Sequence, residues 1–183
     1  YSTLGSDLLA GRMPHAAMHV DALQAEGVQI VINLCEDHEY WAGEREAVEA
    51  AIAAAGIAEH RLAVPDGATI PPDVLDRAVA ATAAGETAYV HCRGGRERSA
   101  AVAVALLATR SGVGIDESLF AAAARWLTCR PLPWQLAGCL PLPQHQGDWR
   151  GNFPALGAFR DEELRPLSAV DGFHLHCRLV GLD

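Results

Sequence analysis

The sequence predicts an α/β fold in which a mainly parallel central sheet is flanked by helices on both faces. Short apolar runs alternate along the chain with longer segments whose apolar residues recur at helical spacing. Prolines and glycines stand at many of the boundaries between the two kinds of segment. Strands that alternate with helices form parallel sheets, because each helix carries the chain back to the start of the next strand.

Three buried strands are predicted from the apolar runs. The first, residues 29–34, is rich in β-branched side chains and ends at a polar cluster, residues 36–39. The second, residues 61–64, enters a Pro-Asp-Gly turn, and the third spans residues 87–91. Ligands of parallel sheets bind beyond the carboxyl ends of the strands, so a functional site is expected where these strands end.

Four helices are predicted from apolar positions spaced three and four residues apart. A proline pair at positions 71 and 72 starts one of them, and glycines follow the ends of several. The helix after the third strand is strongly apolar, which indicates that it is buried. The predicted helices span residues 44–55, 72–84, 99–110 and 116–127.

The composition fits one compact domain with an appendage. The chain has 183 residues, of which 50% are hydrophobic. Prolines and glycines interrupt the pattern after Arg130. We therefore predict a domain over residues 1–140 and a C-terminal extension, residues 141–183, that packs on it or is partly disordered. Residues 173–180 are a further strand candidate in this extension.

Charge and cysteine content limit the partners and the compartment. The net charge of −9 argues against nucleic acid or an anionic membrane as a partner, because both need a basic surface. No apolar run is long enough to span a membrane, and residues 1–11 lack the features of a signal peptide. Five cysteines without a CxxC pair favour a reduced, cytoplasmic protein. No firm metal-ligand pattern is present, and we expect no metal and no cofactor.

The most specific feature of the chain is residues 90–99, Val-His-Cys-Arg-Gly-Gly-Arg-Glu-Arg-Ser, between the third strand and the apolar helix. Gly94 and Gly95 allow successive backbone N–H groups to turn inward around an anion. The guanidinium of Arg98 can hold two oxygens of a phosphoryl group. A helix N-terminus and nearby cations favour the reactive thiolate of a cysteine such as Cys92. The pattern predicts a thiolate at the floor of a cradle for a phosphate-like dianion.

Residues 91–99 fit the pattern HCxxGxxR[ST], and through it the chain resembles the cysteine-dependent protein tyrosine phosphatases. The compact size is similar to the dual-specificity branch. The resemblance covers about residues 8–137, including 11–14, 31–34 and 130–131. It implies a phosphomonoester hydrolase that forms a phosphocysteine intermediate without a cofactor.

The resemblance also implies a role for each residue of the motif. Cys92 attacks phosphorus, Arg98 binds the equatorial oxygens, and Ser99 helps the sulfur to leave during hydrolysis. His91 supports the loop from behind. The phosphoryl group is bound by the residues between nucleophile and arginine: Arg93, Gly94, Gly95, Arg96 and Glu97.

Asp66 is the expected general acid, since the family uses an aspartate on a separate loop upstream of the nucleophile. It follows a predicted strand and stands 26 positions before Cys92. The alternative is a plain turn residue, because Pro-Asp-Gly is a favoured turn sequence, and Asp73 is then the reserve acid. Glu97 departs from the small residue of many relatives. It either points away, paired with a loop arginine or a neighbouring loop, or it opposes dianion binding.

A phosphorylated protein is the expected substrate, with an inositol phosphate or phosphoinositide as the alternative. Arg93 and Arg96 stand where tensin-type lipid phosphatases carry lysines, and residues 31–35 are similar to a segment of those proteins. The same resemblance implies a reversible disulfide between Cys35 and Cys92, whereas a buried structural Cys35 is equally compatible with the sequence. A rhodanese-type sulfurtransferase and a non-catalytic phosphate-binding module are further hypotheses. The sequence predicts no oligomeric state.

Overall fold

A computed structural model describes residues 1–82 and 85–139, which contain a five-stranded sheet covered by helices. The order across the sheet is β1-β2-β5-β3-β4, and all neighbours are parallel except the antiparallel pair β1 and β2. The predicted mainly parallel sheet is therefore confirmed. In chain order the strands are β1 (Ser2–Thr3), β2 (Leu8–Arg12), β3 (Ile30–Asn33), β4 (Ala58–Arg61) and β5 (Ala88–Cys92).

Helices pack on both faces of this sheet, as predicted. Alternate side chains of a strand point to opposite faces. Val90 of β5 therefore joins a core with α3, α4 and α5, whereas the adjacent Tyr89 joins a second core with α1 and α2. The helices are α1 (Ala17–Ala25), α2 (Glu44–Ala54), α3 (Pro72–Ala81), α4 (Arg98–Ser111), α5 (Ile115–Arg125) and the short α6 (Pro133–Gly138).

Strand β5 and helix α4 lie at the centre of the described domain. Every residue of β5 is buried between β2 and β3, and α4 is buried from its first residue to Leu106. By length and composition, no described helix could cross a membrane alone; only α4 and α5 together meet that requirement, as a pair bent by 118°. The loop that joins β5 to α4 thus starts and ends in buried parts of the fold.

The differences from the predicted elements have local causes. The predicted strand at residues 61–64 is displaced, because β4 is an edge strand of partly exposed residues whose pairing with β3 is not visible in an apolar pattern. Strands β1 and β2 and helices α1 and α6 were not predicted. Helix α1, for example, has no side-chain cap and buries only Val20 and Leu23. The extension at 141–183 and its strand candidate lie outside the described residues.

Candidate active site

The loop from Cys92 to Arg98, here called the cysteine loop, closes around the carboxyl end of β5. Gly95 has a φ of 65°, and a Cβ at this position would lie 2.3 Å from the backbone of Gly11 and Arg12. The loop is also tied to the end of β2, because the Met13 N–H donates to the Arg93 carbonyl over 3.3 Å. Its backbone conformation and its close packing on β2 therefore both require a glycine at position 95.

Most of the predicted catalytic and substrate-binding residues line one cavity of about 270 Å³, whereas Gly95 and Ser99 lie outside its lining. The Cys92 thiol is 3% exposed, and its Sγ lies 3.2 Å from the Oγ of the fully buried Ser99. A hydroxyl at this distance can stabilise a negative sulfur. The cavity is lined by Glu39, Asp66, Cys92, Arg93, Gly94, Arg96, Glu97 and Arg98.

Arg98 is held by a buried carboxylate. Its Nη1 and Nη2 donate to the two oxygens of Glu39 over 2.7 and 2.6 Å, which is the bidentate arrangement. Nη1 also donates to the carbonyls of Val64 (2.8 Å) and Leu34 (3.3 Å). The two side chains are 2% and 7% exposed, respectively. The end of the guanidinium is thus fully occupied by protein groups.

One edge of Arg98 remains for a ligand. Its Nε is buried and has no hydrogen-bond partner among the residues that the structure describes. A buried donor without a partner is costly, and an anion in the cavity would satisfy it. The arginine can therefore bind a phosphoryl group with its Nε and Nη2 edge, where a ligand oxygen would share Nη2 with the Asp66 carboxylate.

The Glu39 and Arg98 pair is ionised in the fold. Burial opposes ionisation of Glu39, but hydrogen bonds from Arg98 and from the backbone of Glu36 outweigh it and lower its pKa. For Arg98, burial is likewise outweighed, chiefly by its hydrogen bonds to Glu39, and its pKa is raised. The pair therefore keeps its charges over the physiological pH range.

Asp66 lies at the mouth of the cavity. It follows Val64 in a turn closed by the Ala68 N–H and the Pro65 carbonyl over 3.1 Å. Its carboxylate is 75% exposed and lies 3.0 Å from Nη2 of Arg98. The segment from 65 to 70, here called the acid loop, thus places the Asp66 carboxyl group at the cavity that Cys92 also lines. Asp73 lies in the first turn of α3 instead and does not line the cavity.

The rim carries charges of both signs and one exposed aromatic ring. The guanidinium of Arg93 lies 5.6 Å from the centre of the Trp41 ring, whose residue is 70% exposed. Arg96 is exposed. Glu97 lines the cavity, and within the described ranges it forms an ion pair with neither arginine. The charged residues that line the cavity are therefore balanced in number, with three arginines and three acidic residues.

His91, predicted as a supporting residue, and Cys35, predicted as a possible redox partner of Cys92, lie in contact with each other. His91 is fully buried; burial lowers its pKa to about 3, and the ring is therefore neutral. It stacks on Tyr89 with ring centres 5.8 Å apart, and its Nδ1 lies 3.8 Å from Sγ of Cys35. Burial raises the pKa of Cys35 to about 12. The proposed disulfide between Cys35 and Cys92 stays a prediction; mass spectrometry after mild peroxide treatment tests it.

Sequence reasoning missed Glu39 as a site residue. One sequence feature does point to this residue: the polar cluster at 36–39 follows β3, and β3 pairs in parallel with β5, so the two strands end at the same edge of the sheet. The cluster forms a short 3-10 helix (Asp37–Glu39), and the Glu39 carboxylate accepts the Glu36 N–H over 2.8 Å. In the part of the chain described, no group of three or more His, Cys, Asp or Glu residues could hold a metal ion.

Comparisons with known proteins identify the family of the chain. A family model described as "Swiss Army Knife protein, DSP-PTPase phosphatase domain" matches residues 4–121. No curated protein sequence matches the chain significantly. A structure of PTPMT1 is similar at 26% identity with a TM-score of 0.65, over 76% of this chain and 90% of that one.

Two further structures are similar over a comparable length. PTPMT1 in complex with PI(5)P is 25% identical with a TM-score of 0.62, over 74% of this chain and 89% of that one. Human DUSP28 is 23% identical with a TM-score of 0.56, over 76% of this chain and 92% of that one. At this lower identity the likeness to DUSP28 concerns the fold alone.

Proposed function

We propose that this protein dephosphorylates other proteins through a phosphocysteine formed on Cys92. The chain belongs to the PTP-SAK family of dual-specificity-type phosphatase domains. The chain is a cysteine-dependent phosphatase, and the enzyme class predicted from the sequence is confirmed. One observation carries the residue roles: Cys92, Arg98 and Asp66 line the same cavity, with Ser99 in contact with the sulfur.

In the first step the Cys92 sulfur attacks phosphorus while the bond to the leaving oxygen breaks. The Nε and Nη2 edge of Arg98 and the loop amides hold the equatorial oxygens, where negative charge resides in the transition state. Asp66 gives its proton to the leaving oxygen and becomes a carboxylate. The products of this step are the free alcohol and the phosphocysteine.

In the second step water attacks the phosphocysteine and the P–S bond breaks. The Asp66 carboxylate takes a proton from the attacking water, which restores its acid form and releases inorganic phosphate. The Ser99 hydroxyl, 3.2 Å from Sγ, donates to the departing thiolate. The enzyme is thereby returned to its starting protonation state.

A phosphotyrosine side chain is the substrate group that the rim favours. Glu39, Asp66 and Glu97 line the cavity together with its arginines, so the rim is not a strongly cationic surface. The exposed Trp41 ring, held beside the cavity by Arg93, offers an aromatic face on which a tyrosine ring can pack.

An inositol phosphate or phosphoinositide is the second candidate. Arg93 and Arg96 both line the cavity and can bind an additional phosphate group. The similar structure of PTPMT1 in complex with PI(5)P supports this candidate. The net charge of −9 weighs against a general attraction to anionic membrane surfaces.

Parallel phosphate-release assays test the proposal. The substrates are a phosphotyrosine peptide, a phosphothreonine peptide and a soluble inositol phosphate, each with wild type and Cys92→Ser. We expect the highest kcat/KM for the phosphotyrosine peptide and no turnover by Cys92→Ser. Acid quenching during turnover, followed by peptide mass spectrometry, should place the phosphoryl group on Cys92.

The outcomes separate the two parts of the proposal. A higher kcat/KM for the inositol phosphate would assign the substrate class to the second candidate and leave the mechanism standing. Turnover by Cys92→Ser at the wild-type rate, or a phosphoryl group trapped on another residue, would overturn the mechanism itself.

A further inference from the structure

A segment beyond the last large helix contacts both catalytic loops. The backbone N–H of Arg130 donates to the Arg96 carbonyl of the cysteine loop over 2.9 Å. Helix α6 (Pro133–Gly138) follows directly and packs against the acid loop. Residues 130–138, here called the anchoring segment, therefore link the loop that carries the nucleophile to the loop that carries the acid.

Two side chains of the anchoring segment bind backbone carbonyls next to Asp66. Trp134 donates from Nε1 to the Gly67 carbonyl over 2.8 Å, and Gln135 donates from Nε2 to the Ala68 carbonyl over 3.2 Å. These are the first and second carbonyls after the acid. Two side-chain donors thus fix the backbone of the acid loop immediately after Asp66.

Gln135 is itself held in place. Its side chain is 0% exposed, and its Oε1 accepts the Leu132 N–H over 3.1 Å. Both ends of the amide are therefore used, one within the anchoring segment and one on the acid loop. A buried amide with both partners satisfied defines one orientation, because any rotation would leave a polar group without a partner.

The anchoring segment also approaches the acid loop too closely for a larger residue. A Cβ on Gly138 would lie 2.5 Å from the Ile70 carbonyl oxygen and 2.7 Å from Cγ2 of Thr69. Contacts thus run along the acid loop from Gly67 to Ile70. By contrast, the Asp66 carboxylate is 75% exposed and contacts Arg98 at 3.0 Å, a partner that a bound phosphoryl group would share.

We propose that Trp134 and Gln135 are positioning residues, which hold Asp66 over the leaving oxygen by binding the Gly67 and Ala68 carbonyls. The inference rests on the proposed function, since it assigns an effect on the acid step. A shift of about 1 Å in a reacting group can cost about 10²-fold in rate. The nucleophile lies at the end of β5 and Arg98 at the start of α4, and the two removed bonds go to Gly67 and Ala68 instead, so we expect both residues to keep their places in the variants.

The test is a series of aryl phosphates that differ in the acidity of the leaving phenol. The variants are Trp134→Phe, which removes one donor, and Gln135→Met, which removes the donor to Ala68 together with the acceptor of the Leu132 N–H; both keep most of the volume. Gln24→Met is the matched control, because Gln24 donates to the Ala55 carbonyl over 3.2 Å on the other face of the sheet. The value compared is kcat/KM, which covers the steps up to phosphocysteine formation.

We expect a loss that depends on the leaving group. For phenyl phosphate, whose phenol has a pKa of about 10, kcat/KM should fall about 10- to 100-fold, within the range that a general acid supplies. For a strongly acidic nitrophenol, which leaves without a proton, it should fall less than about threefold. Vanadate affinity should stay at the wild-type value, and each variant combined with Asp66→Asn should lose little more than Asp66→Asn alone.

Three results would overturn the inference. One is an equal loss for good and poor leaving groups, which indicates general damage to the fold. Another is full additivity with Asp66→Asn, which means that the two side chains act elsewhere. The third is wild-type activity of both variants on phenyl phosphate. Failure of the proposed function itself would look different, because wild type would then hydrolyse none of the aryl phosphates.

Discussion

Arg98 can bind both the Glu39 carboxylate and a substrate phosphoryl group, because the two interactions use different edges of its guanidinium. The Nη1 and Nη2 end is bound to Glu39, and the buried Nε has no partner among the described residues. A buried ion pair restricts the arginine to one orientation, whereas the unpaired Nε leaves a donor for a substrate oxygen. A lone buried guanidinium would be far more costly than the pair.

Replacing Glu39 should destabilise the fold, because Arg98 would remain buried without its charged partner. For Glu39→Gln we expect the free energy of unfolding to fall by about 3–5 kcal/mol, the usual result of removing one member of a buried pair. Urea denaturation measures it. The control is Glu49→Gln, whose surface contact with Arg45 spans 3.9 Å and should contribute less than about 1 kcal/mol. Equal stability of both variants would contradict the structural role of Glu39.

Asp66→Asn tests the assignment of the acid. We expect kcat/KM for phenyl phosphate to fall about 10²–10⁴-fold, because the leaving oxygen then departs without a proton. Vanadate binding, followed by competition, should be retained, since the cradle is unchanged. Asp73→Asn is the comparison, and its activity should stay near that of wild type. If Asp73→Asn caused the larger loss, the acid would be misassigned.

The site residues that the sequence predicts have partners close to them in the chain, whereas the residues that it misses have partners far away in the chain. Cys92, Arg98 and Ser99 belong to one continuous motif, and all three meet at the cavity or beside its sulfur. Glu39 stands 59 positions from Arg98, and Gln135 stands 67 positions from Ala68. Contacts of this range depend on how β3 lies beside β5 and on where α6 packs, which local patterns do not encode.

At the level of elements, the cysteine loop keeps its shape through contact with the end of β2. That strand was not predicted, although Leu8, Leu9 and Ala10 are buried in it, because it is short and is interrupted by Gly11. The predicted anion cradle could be placed at the end of β5 from sequence. The contact of the cradle with the end of β2 could not be predicted from sequence. It depends on the parallel pairing of Arg12 with Cys92, which are 80 positions apart in the chain.

Two adjacent glycines of the cysteine loop should respond differently to alanine. In Gly95→Ala the new Cβ would meet the Gly11 and Arg12 backbone at 2.3 Å, and φ is 65°, so the loop must move. We expect a loss of about 1–3 kcal/mol in stability and a large loss of vanadate affinity. In Gly94→Ala the nearest atom is Nε of Arg96, 3.7 Å away, and stability should change little.

Thermal unfolding with and without vanadate distinguishes the two variants. Vanadate should raise the Tm of wild type and Gly94→Ala, since a ligand that binds only the folded state stabilises it. It should leave the Tm of Gly95→Ala almost unchanged. Equal vanadate shifts in both variants would show that the cradle does not depend on the contact with β2.

At the scale of the whole described fold, burial of β5 between two cores encloses its one polar side chain that can take up a proton near neutral pH, His91. The strand is buried on both faces, so the imidazole is shielded from water on every side. Its Nδ1 faces Cys35, and its Nε2 has no partner within the described part of the chain. The sequence predicted a supporting role for His91, but its protonation depends on burial by distant elements.

Neutral His91 should make stability dependent on pH. Its pKa is about 3 in the fold and about 6.5 in an unfolded chain, so between these values only the unfolded state binds the proton. The free energy of unfolding should therefore fall with decreasing pH, by about 1.4 kcal/mol per unit below about pH 6.5. At pH 4.5 the loss from this residue reaches about 2.7 kcal/mol.

Urea denaturation of wild type, His91→Asn and His38→Asn between pH 4.5 and 7.5 measures this dependence. His91→Asn should show a flatter decline, whatever its stability at pH 7.5, because its unfolded state no longer gains that proton. His38 is exposed, with a side-chain accessibility of 74%, and its variant should decline like wild type. Glu39 adds to the acid sensitivity mainly below about pH 4.3, the usual pKa of a glutamate in an unfolded chain. There the unfolded state binds a proton, whereas the lowered pKa keeps Glu39 ionised in the fold. The same slope in all three proteins would mean that His91 carries its proton in the fold, and that a charge lies directly behind the cysteine loop.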